Sequence, residues 1–398
     1  MERIMITIGV ALMGLVGCVF AGLAGMIMIG FLSDHPVFYT AIWFIVLLIL
    51  ETGLILTRFD SIRHHPWYKR LLIGCLSACV LTAAGYKGYT MYDRSLVAVS
   101  VQDVDLQQYE PFHPGSQIAV LDKTPSYHLN TGDKLPRLDG ATALYPVYSA
   151  FVQAVYPKDG ASYGLFADDS IVRGNGTGPA YERLIGDNAD MIFAAAPSSG
   201  QKQLARKHGV ELHLTPIGKE GFVFFVNKNN PVTNLTSQQI KQIYTGKITN
   251  WKQVGGSNEP IRAFQRPEDS GSQAMLRKWM GSEQPMTPPI DRIASGMGGI
   301  MEEVADYRNY SNAIGYSFHF FATTMNPNPH IRLLSVDGVY PNDEHISSGA
   351  YKLTVPFYAV TAGKTSKHPN TESLLQWILS PEGQQLIRQT GYIPLPVN

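Results

Sequence analysis

Arg266-Pro267-Glu268-Asp269-Ser270-Gly271-Ser272, running directly into Gln273-Ala274-Met275-Leu276-Arg277-Lys278-Trp279, reads as a polar loop handing over to a helix. Two earlier stretches follow the same pattern. Asp139-Gly140-Ala141-Thr142 precedes residues 145–155, whose Pro146 suits a first helical turn. Gly174-Asn175-Gly176-Thr177-Gly178 precedes residues 179–185. Each junction puts a hydroxyl near a glycine at a helix start. The exposed N–H groups and positive dipole end of such a start attract anions, and glycine lets the backbone approach closely. Arg266 adds a planar guanidinium fork suited to a tetrahedral oxyanion. One junction alone is an ordinary N-cap; three with an arginine outline an anion cradle. Strand-like and helix-like segments alternate throughout this part of the chain, which marks it as α/β.

The chain has 398 residues, 45% hydrophobic and 16% charged, with 32 Lys+Arg against 32 Asp+Glu. That charge content is low beside the roughly 25% of ordinary globular chains. Residues 1–92 hold the basic residues Arg3, Arg58, Arg63, Lys69, Arg70 and Lys87 and the acidic residues Glu2, Asp34, Glu51 and Asp60. Residues 93–398 are therefore slightly acidic, at about −2. Duplex nucleic acid needs a basic surplus, so it is excluded as a partner. Abundant apolar and aromatic residues exclude disorder. Cys18, Cys75 and Cys79 all lie in the first part, so the rest has neither a disulfide nor a thiolate metal site. No metal and no cofactor is expected.

Residues 5–32 form an apolar run without a charge, longer than the roughly 20 residues that cross a bilayer. A second run, 37–57, is interrupted only by Glu51, and a third spans 71–92 with Lys87 near its end. Residues 58–70 carry Arg58, Arg63, Lys69 and Arg70, with Trp67 and Tyr68 as interfacial anchors, whereas Ser33-Asp34-His35-Pro36 has no Lys or Arg. The positive-inside rule puts 58–70 and the N-terminus in the cytoplasm and 93–398 outside the cell membrane. Leu15-Val16-Gly17-Cys18 has the shape of a lipoprotein cleavage site, but apolar sequence follows it, so it reads as part of a spanning helix. Glu51 reads as a protonated or helix-paired group inside the membrane. The expected organisation is a three-helix anchor (1–92), a turn-rich linker or edge segment (93–137) and a binding domain (138–398).

The domain carries several ordered motifs. Residues 216–227 read Pro-Ile-Gly-Lys-Glu-Gly-Phe-Val-Phe-Phe-Val-Asn, Asn230-Pro231 follows, and 235–251 run from Leu235 through Tyr244-Thr245-Gly246 to Trp251. Then come Arg266 with Ser270-Gly271-Ser272, Ala313-Ile314-Gly315-Tyr316, Leu379-Ser380-Pro381-Glu382-Gly383, and Gly391-Tyr392-Ile393-Pro394. In this order they resemble the phosphate-binding protein of the bacterial phosphate ABC importer. The resemblance implies a type II periplasmic binding protein fold: two α/β lobes joined by a hinge, with the ligand between them. Lobe one would comprise about 113–220 and 355–398, and lobe two about 221–354. It implies ligand contacts from Thr142 and Thr177 in lobe one and from Arg266, Ser270, Gly271 and Ser272 in lobe two. It also implies inorganic phosphate or a related oxyanion as ligand, and an ABC permease or a membrane sensor as partner.

Two departures stand out. The family's lobe-one carboxylate, which accepts the proton of hydrogen phosphate, falls at Ala195 in Asp190-Met191-Ile192-Phe193-Ala194-Ala195. A buried P–OH without an acceptor costs about 1–3 kcal/mol, so either Asp139 or Asp269 substitutes, or the ligand is another oxyanion. The family's carriers are soluble or lipid-anchored, whereas this chain has three apolar runs, which raises a sensory or scaffold role. An alternative function is a signalling or scaffold module that binds a protein or envelope component. Catalysis has no support. No histidine stands in His-Glu-x-x-His spacing, and Gly160-Ala161-Ser162-Tyr163-Gly164 follows a helix where a nucleophile elbow needs a strand. His64-His65 reads as an interfacial pair and His319 as packing. Asn175, Asn234 and Asn309 head formal glycosylation sites, which the resemblance to a bacterial family makes incidental.

Overall fold

The computed structural model describes residues 2–32, 36–59, 62, 65–95, 104–165, 167–287, 310–363 and 368–396. Residues 33–35, much of the basic loop (Arg63 and His64 included), the start of the linker at 96–103, and Asn309 lie outside the described residues. The chain divides into two compact units, 1–96 and 97–398.

The first unit is three helices, α1 (Glu2–Leu32), α2 (Pro36–Leu56) and α3 (Pro66–Ser95). Each contains a stretch long and apolar enough to cross a membrane: Leu12–Gly30, Pro36–Leu56 and Pro66–Tyr92. Met13, Phe20 and Leu81 are each more than 70% exposed, a surface suited to lipid and not to water. Small residues of α1 receive large ones of α2: Gly22 faces Phe44 and Gly25 faces Trp43, the close approach that packs helices in apolar surroundings. Trp43 Nε1 donates to the Ala21 carbonyl at 3.1 Å, and Tyr68 Oη donates to the Gly53 carbonyl at 2.6 Å. Glu51 lies against Gly14 of α1.

The second unit is α/β. In chain order it contains β1 (Leu138–Gly140), α4 (Tyr145–Val155), α5 (Thr177–Ile185), β2 (Met191–Ala194), α6 (Ser199–Lys207) and β3 (Leu212–Asn227). There follow β4 (Asn234–Leu235), α7 (Ser237–Tyr244), β5 (Arg262–Ala263), α8 (Gly271–Met280), β6 (Ala313–Phe318), β7 (Ile331–Leu333), β8 (Ser335–Val336) and α9 (Asp343–Ser347). The chain closes with β9 (Thr354–Ala362), α10 (Thr371–Leu379), α11 (Pro381–Thr390) and β10 (Ile393–Pro394).

One mixed sheet runs β1-β2-β9-β3-β6-β5, with β7 and β10 also on β3. The sixteen residues of β3 serve both halves. From Leu212 to Gly221 it pairs antiparallel with β9; from Phe222 to Val226 it pairs with β6. The change of partner at Gly221/Phe222 is the crossover between two lobes. Beyond it, Phe222-Val223-Phe224-Phe225-Val226 is buried on both faces, as expected of an aromatic and β-branched central strand.

Lobe one packs around α4, whose Tyr145, Tyr148, Phe151 and Val152 are fully buried. Tyr148 stacks on Phe193 of β2 at 4.9 Å between ring centroids. Leu106, Tyr109, Ile118 and Leu129 join this core, as do Phe320, Phe321 and Met325 from the segment after β6. Lobe two packs Phe222 and Phe224 against Tyr244, Trp251, Leu276 and Ile314.

Candidate functional site

Two helix starts from opposite lobes line one small cleft. From lobe one come Thr142, in a 3-10 turn (Thr142–Leu144) leading into α4, and Thr177 at the first position of α5. From lobe two come Arg266, Asp269, Ser270, Gly271 and Ser272, the last two opening α8. The cleft encloses about 190 Å³, below the roughly 300–1,000 Å³ of sites for drug-sized molecules. It suits a small ion.

The lobe-one wall is held from behind by Asp139, which is fully buried. Its Oδ1 accepts from the backbone N–H of Gly140 at 2.8 Å and of Asn175 at 3.1 Å. Its Oδ2 accepts from Asn175 Nδ2 at 2.7 Å and stands 3.0 Å from Arg183 Nε. Burial pushes this carboxyl up, opposed by the Asn175 and Gly140 hydrogen bonds and by Arg183. Asp139 thus fixes the glycine-rich loop and is not among the cleft-lining residues. Gly176 caps α5 at φ 90°, a left-handed conformation open to glycine and strained for other residues. Its N–H donates to the Gly140 carbonyl at 3.1 Å.

The lobe-two wall is built on Gln273. Its Oε1 accepts from the Arg266 backbone N–H at 3.0 Å and from Tyr316 Oη, and its Nε2 donates to Gln265 Oε1 at 3.0 Å. Tyr316 Oη also accepts from the Arg266 N–H at 3.0 Å. Ser270 Oγ caps α8 by accepting from the Gln273 N–H at 3.2 Å, so that hydroxyl already serves the helix. Arg266 Nε is buried and has no hydrogen-bond partner. Burial pulls Arg266 down from its ordinary value, opposed by Tyr316 and, among the described residues, by no carboxylate. A guanidinium in this setting calls for an anion.

The two walls meet closely. A Cβ on Gly271 would come within 2.9 Å of Thr177 Oγ1 and 3.4 Å of Ala195 Cβ. A Cβ on Gly178 would meet Asp269 Cβ at 3.3 Å, and Gln201 Nε2 of lobe one donates to the Asp269 carbonyl at 3.3 Å. The two walls touch at these points.

All six residues that the sequence singled out as ligand contacts therefore line one cleft. The two carboxylates named as acceptors separate: Asp269 lines it and Asp139 stands behind it. Sequence reasoning missed the Gln273–Tyr316 brace, although Tyr316 closes the Ala313-Ile314-Gly315-Tyr316 motif. It also missed Ser317, Phe318 and Phe321 on the cleft wall. Among the described residues, no group of three or more His, Cys, Asp or Glu side chains comes together to hold a metal.

Residues 127–382 match the family model of the PBP superfamily domain, well over half of the chain. The chain belongs to the PBP superfamily. Among curated relatives, Protein SphX of Synechococcus elongatus is 25% identical over 292 residues, covering 66% of this chain and 84% of that protein. The phosphate-binding protein PstS of Bacillus subtilis is 27% identical over 178 residues, covering 44% of this chain; the chain spans 55% of that relative's length. A solved relative, a putative phosphate ABC transporter substrate-binding protein with bound phosphate from Clostridium perfringens, is 26% identical. It covers 65% of this chain and 98% of its own, with a TM-score of 0.48. Within the PBP domain, the matched region takes in both walls of the cleft.

Proposed function

We propose that this chain is a membrane-tethered solute-binding protein for a tetrahedral oxyanion, phosphate first, acting in uptake or in sensing. The observation that carries the reading is Arg266: its Nε is buried without a hydrogen-bond partner, and the residue lines a small cleft between two helix starts from opposite lobes. Thr142 and Thr177 bind from lobe one; Arg266, Gly271 and Ser272 bind from lobe two, with Ser270 fixing the α8 start. An anion that touches both walls favours the closed state by its differential contacts, and closure is the signal a membrane partner reads. Asp269 is the acceptor for a ligand P–OH, since it alone of the two carboxylates borders the cleft. The reading is of a binding domain: its cleft wall offers hydroxyl and backbone donors, one cation and the Asp269 carboxylate, with no nucleophile–base pair among the described residues. The relatives named for phosphate support the choice of anion.

Titrating the full chain in detergent with phosphate, sulfate and other oxyanions tests this reading by calorimetry. Saturable heat with phosphate is expected, and no heat with any oxyanion would favour the scaffold module. The Lys/Arg content of residues 58–70 supports a cytoplasmic position for that loop, with residues 93–398 outside the cell membrane. A membrane-impermeant maleimide should then label His65→Cys only in opened cells. Labelling in intact cells would invert the topology.

A further inference from the structure

Glu220 is a buried carboxyl that the oxyanion site as described does not use. It lies on β3 just before that strand exchanges β9 for β6, and it is only 7% exposed. Its Oε1 accepts from the backbone N–H of Gly221 at 2.9 Å and of Phe320 at 3.3 Å, and the His319 backbone adds another bond to the carboxyl. Its Oε2 is buried without a hydrogen-bond partner. Glu220 borders a chamber of about 30 Å³ that shares Ala141, Ala143, Thr177 and Phe318 with the ligand cleft. Ala195, which stands where the family carries its carboxylate, borders the same chamber. A space of that size holds one or two waters.

The chamber's walls are mostly apolar, and burial pushes Glu220 up to about 8. With Oε1 committed to accepting, the proton of the neutral acid belongs on Oε2. Other titratable groups stand nearby. Asp343 of α9 lies 3.6 Å from His319 and is exposed. His319 is held below its ordinary value by burial, with Asp343 opposing. Tyr392, ahead of β10, is pushed far up by burial. The facing β9 residues, Val355 and Pro356, and the 141–144 turn carry no titratable group.

We propose that Glu220 gates the cleft by its protonation. Neutral, it offers Oε2–H toward the cleft through a chamber water and tolerates an anion beside Thr177. Ionised, it sets a negative charge next to that anion and weakens its binding. By reciprocity, a bound anion holds the proton on Glu220. The inference rests on the oxyanion reading of the cleft.

The test is calorimetry of the full chain in detergent with inorganic phosphate at pH 7, 8 and 9, for wild type and Glu220→Gln. Wild-type affinity should fall about fivefold or more from pH 7 to 9, although the phosphate dianion becomes more abundant over that range. Glu220→Gln should not show the fall. Should that variant not fold, wild type alone decides, from binding heats in buffers of different ionisation enthalpy. Net proton uptake on phosphate binding at pH 8 to 9 is expected, and its absence overturns the proposal. Equal pH profiles in the two proteins overturn the gating while leaving the oxyanion site standing. No phosphate heat at any pH overturns both.

Discussion

Two buried carboxyls flank the cleft, and they differ in how much of their bonding capacity is spent. Asp139 accepts from Gly140, from Asn175 twice, and faces Arg183. Glu220 has one oxygen satisfied by backbone and the other bare. Both are pushed up by burial, but Asp139 has an arginine and three hydrogen-bond donors to resist the push, whereas Glu220 has backbone donors alone. The difference teaches that a buried carboxyl beside a cleft need not line it. A spent carboxylate builds the wall, and a half-spent one is free to exchange a proton.

The comparison breaks most visibly at Asp139. Asp139→Ala leaves Arg183 and both Asn175 donors without their acceptor, at about 3–5 kcal/mol of stability by the usual cost of orphaning one partner of a buried pair. Urea denaturation should register that loss. A variant of wild-type stability that had lost only its preference for phosphate over sulfate would make Asp139 a ligand contact instead.

Glu220 should behave in the opposite sense. Its folded value is about 8 against an ordinary 4.5, so between these values the folded state keeps a proton that the unfolded state has released. Stability therefore falls as pH rises from about 4.5 to about 8 and levels off above. Glu220→Gln removes that loss and should stabilise the chain by about 2–4 kcal/mol at pH 8, with no gain at pH 4. Parallel stability–pH curves for the two proteins would contradict the assignment.

Two smaller effects sharpen the picture at the cleft wall. Asp269→Ala removes the acceptor for a ligand P–OH, and the phosphate-to-sulfate preference should drop by about tenfold, from the 1–3 kcal/mol of an unmet donor. An unchanged ratio by calorimetry would take Asp269 out of recognition. Gly176→Ala forces a Cβ into φ 90° and should cost about 1–2 kcal/mol, read in the thermal midpoint.

Why the sequence disclosed the cleft-lining helix starts and not the roles of the two carboxyls follows from where the partners lie. The cleft-lining residues were legible because helix starts are local: a hydroxyl and glycine within a few residues of an apolar run announce themselves at Thr177 and at Ser270-Gly271-Ser272. The α/β alternation was legible for the same reason. The roles of Asp139 and Glu220 were not, because their partners are remote in the chain: Asn175 and Arg183 for Asp139, Phe320 for Glu220. Asp139 reads as a cleft carboxylate until Arg183 is seen behind it. Glu220 reads as a polar break in an apolar strand, since nothing local says that backbone N–H groups from the end of β6 will cover one oxygen and leave the other.

The central claim is that the buried guanidinium of Arg266 holds an oxyanion between the lobes. Phosphate calorimetry on the full chain and on Arg266→Ala tests it most directly. The account predicts saturable binding by the wild type and a loss of at least about thirtyfold in the variant, in line with truncating one partner of a buried charge pair. Equal affinities in the two proteins, or no binding by the wild type, would contradict it.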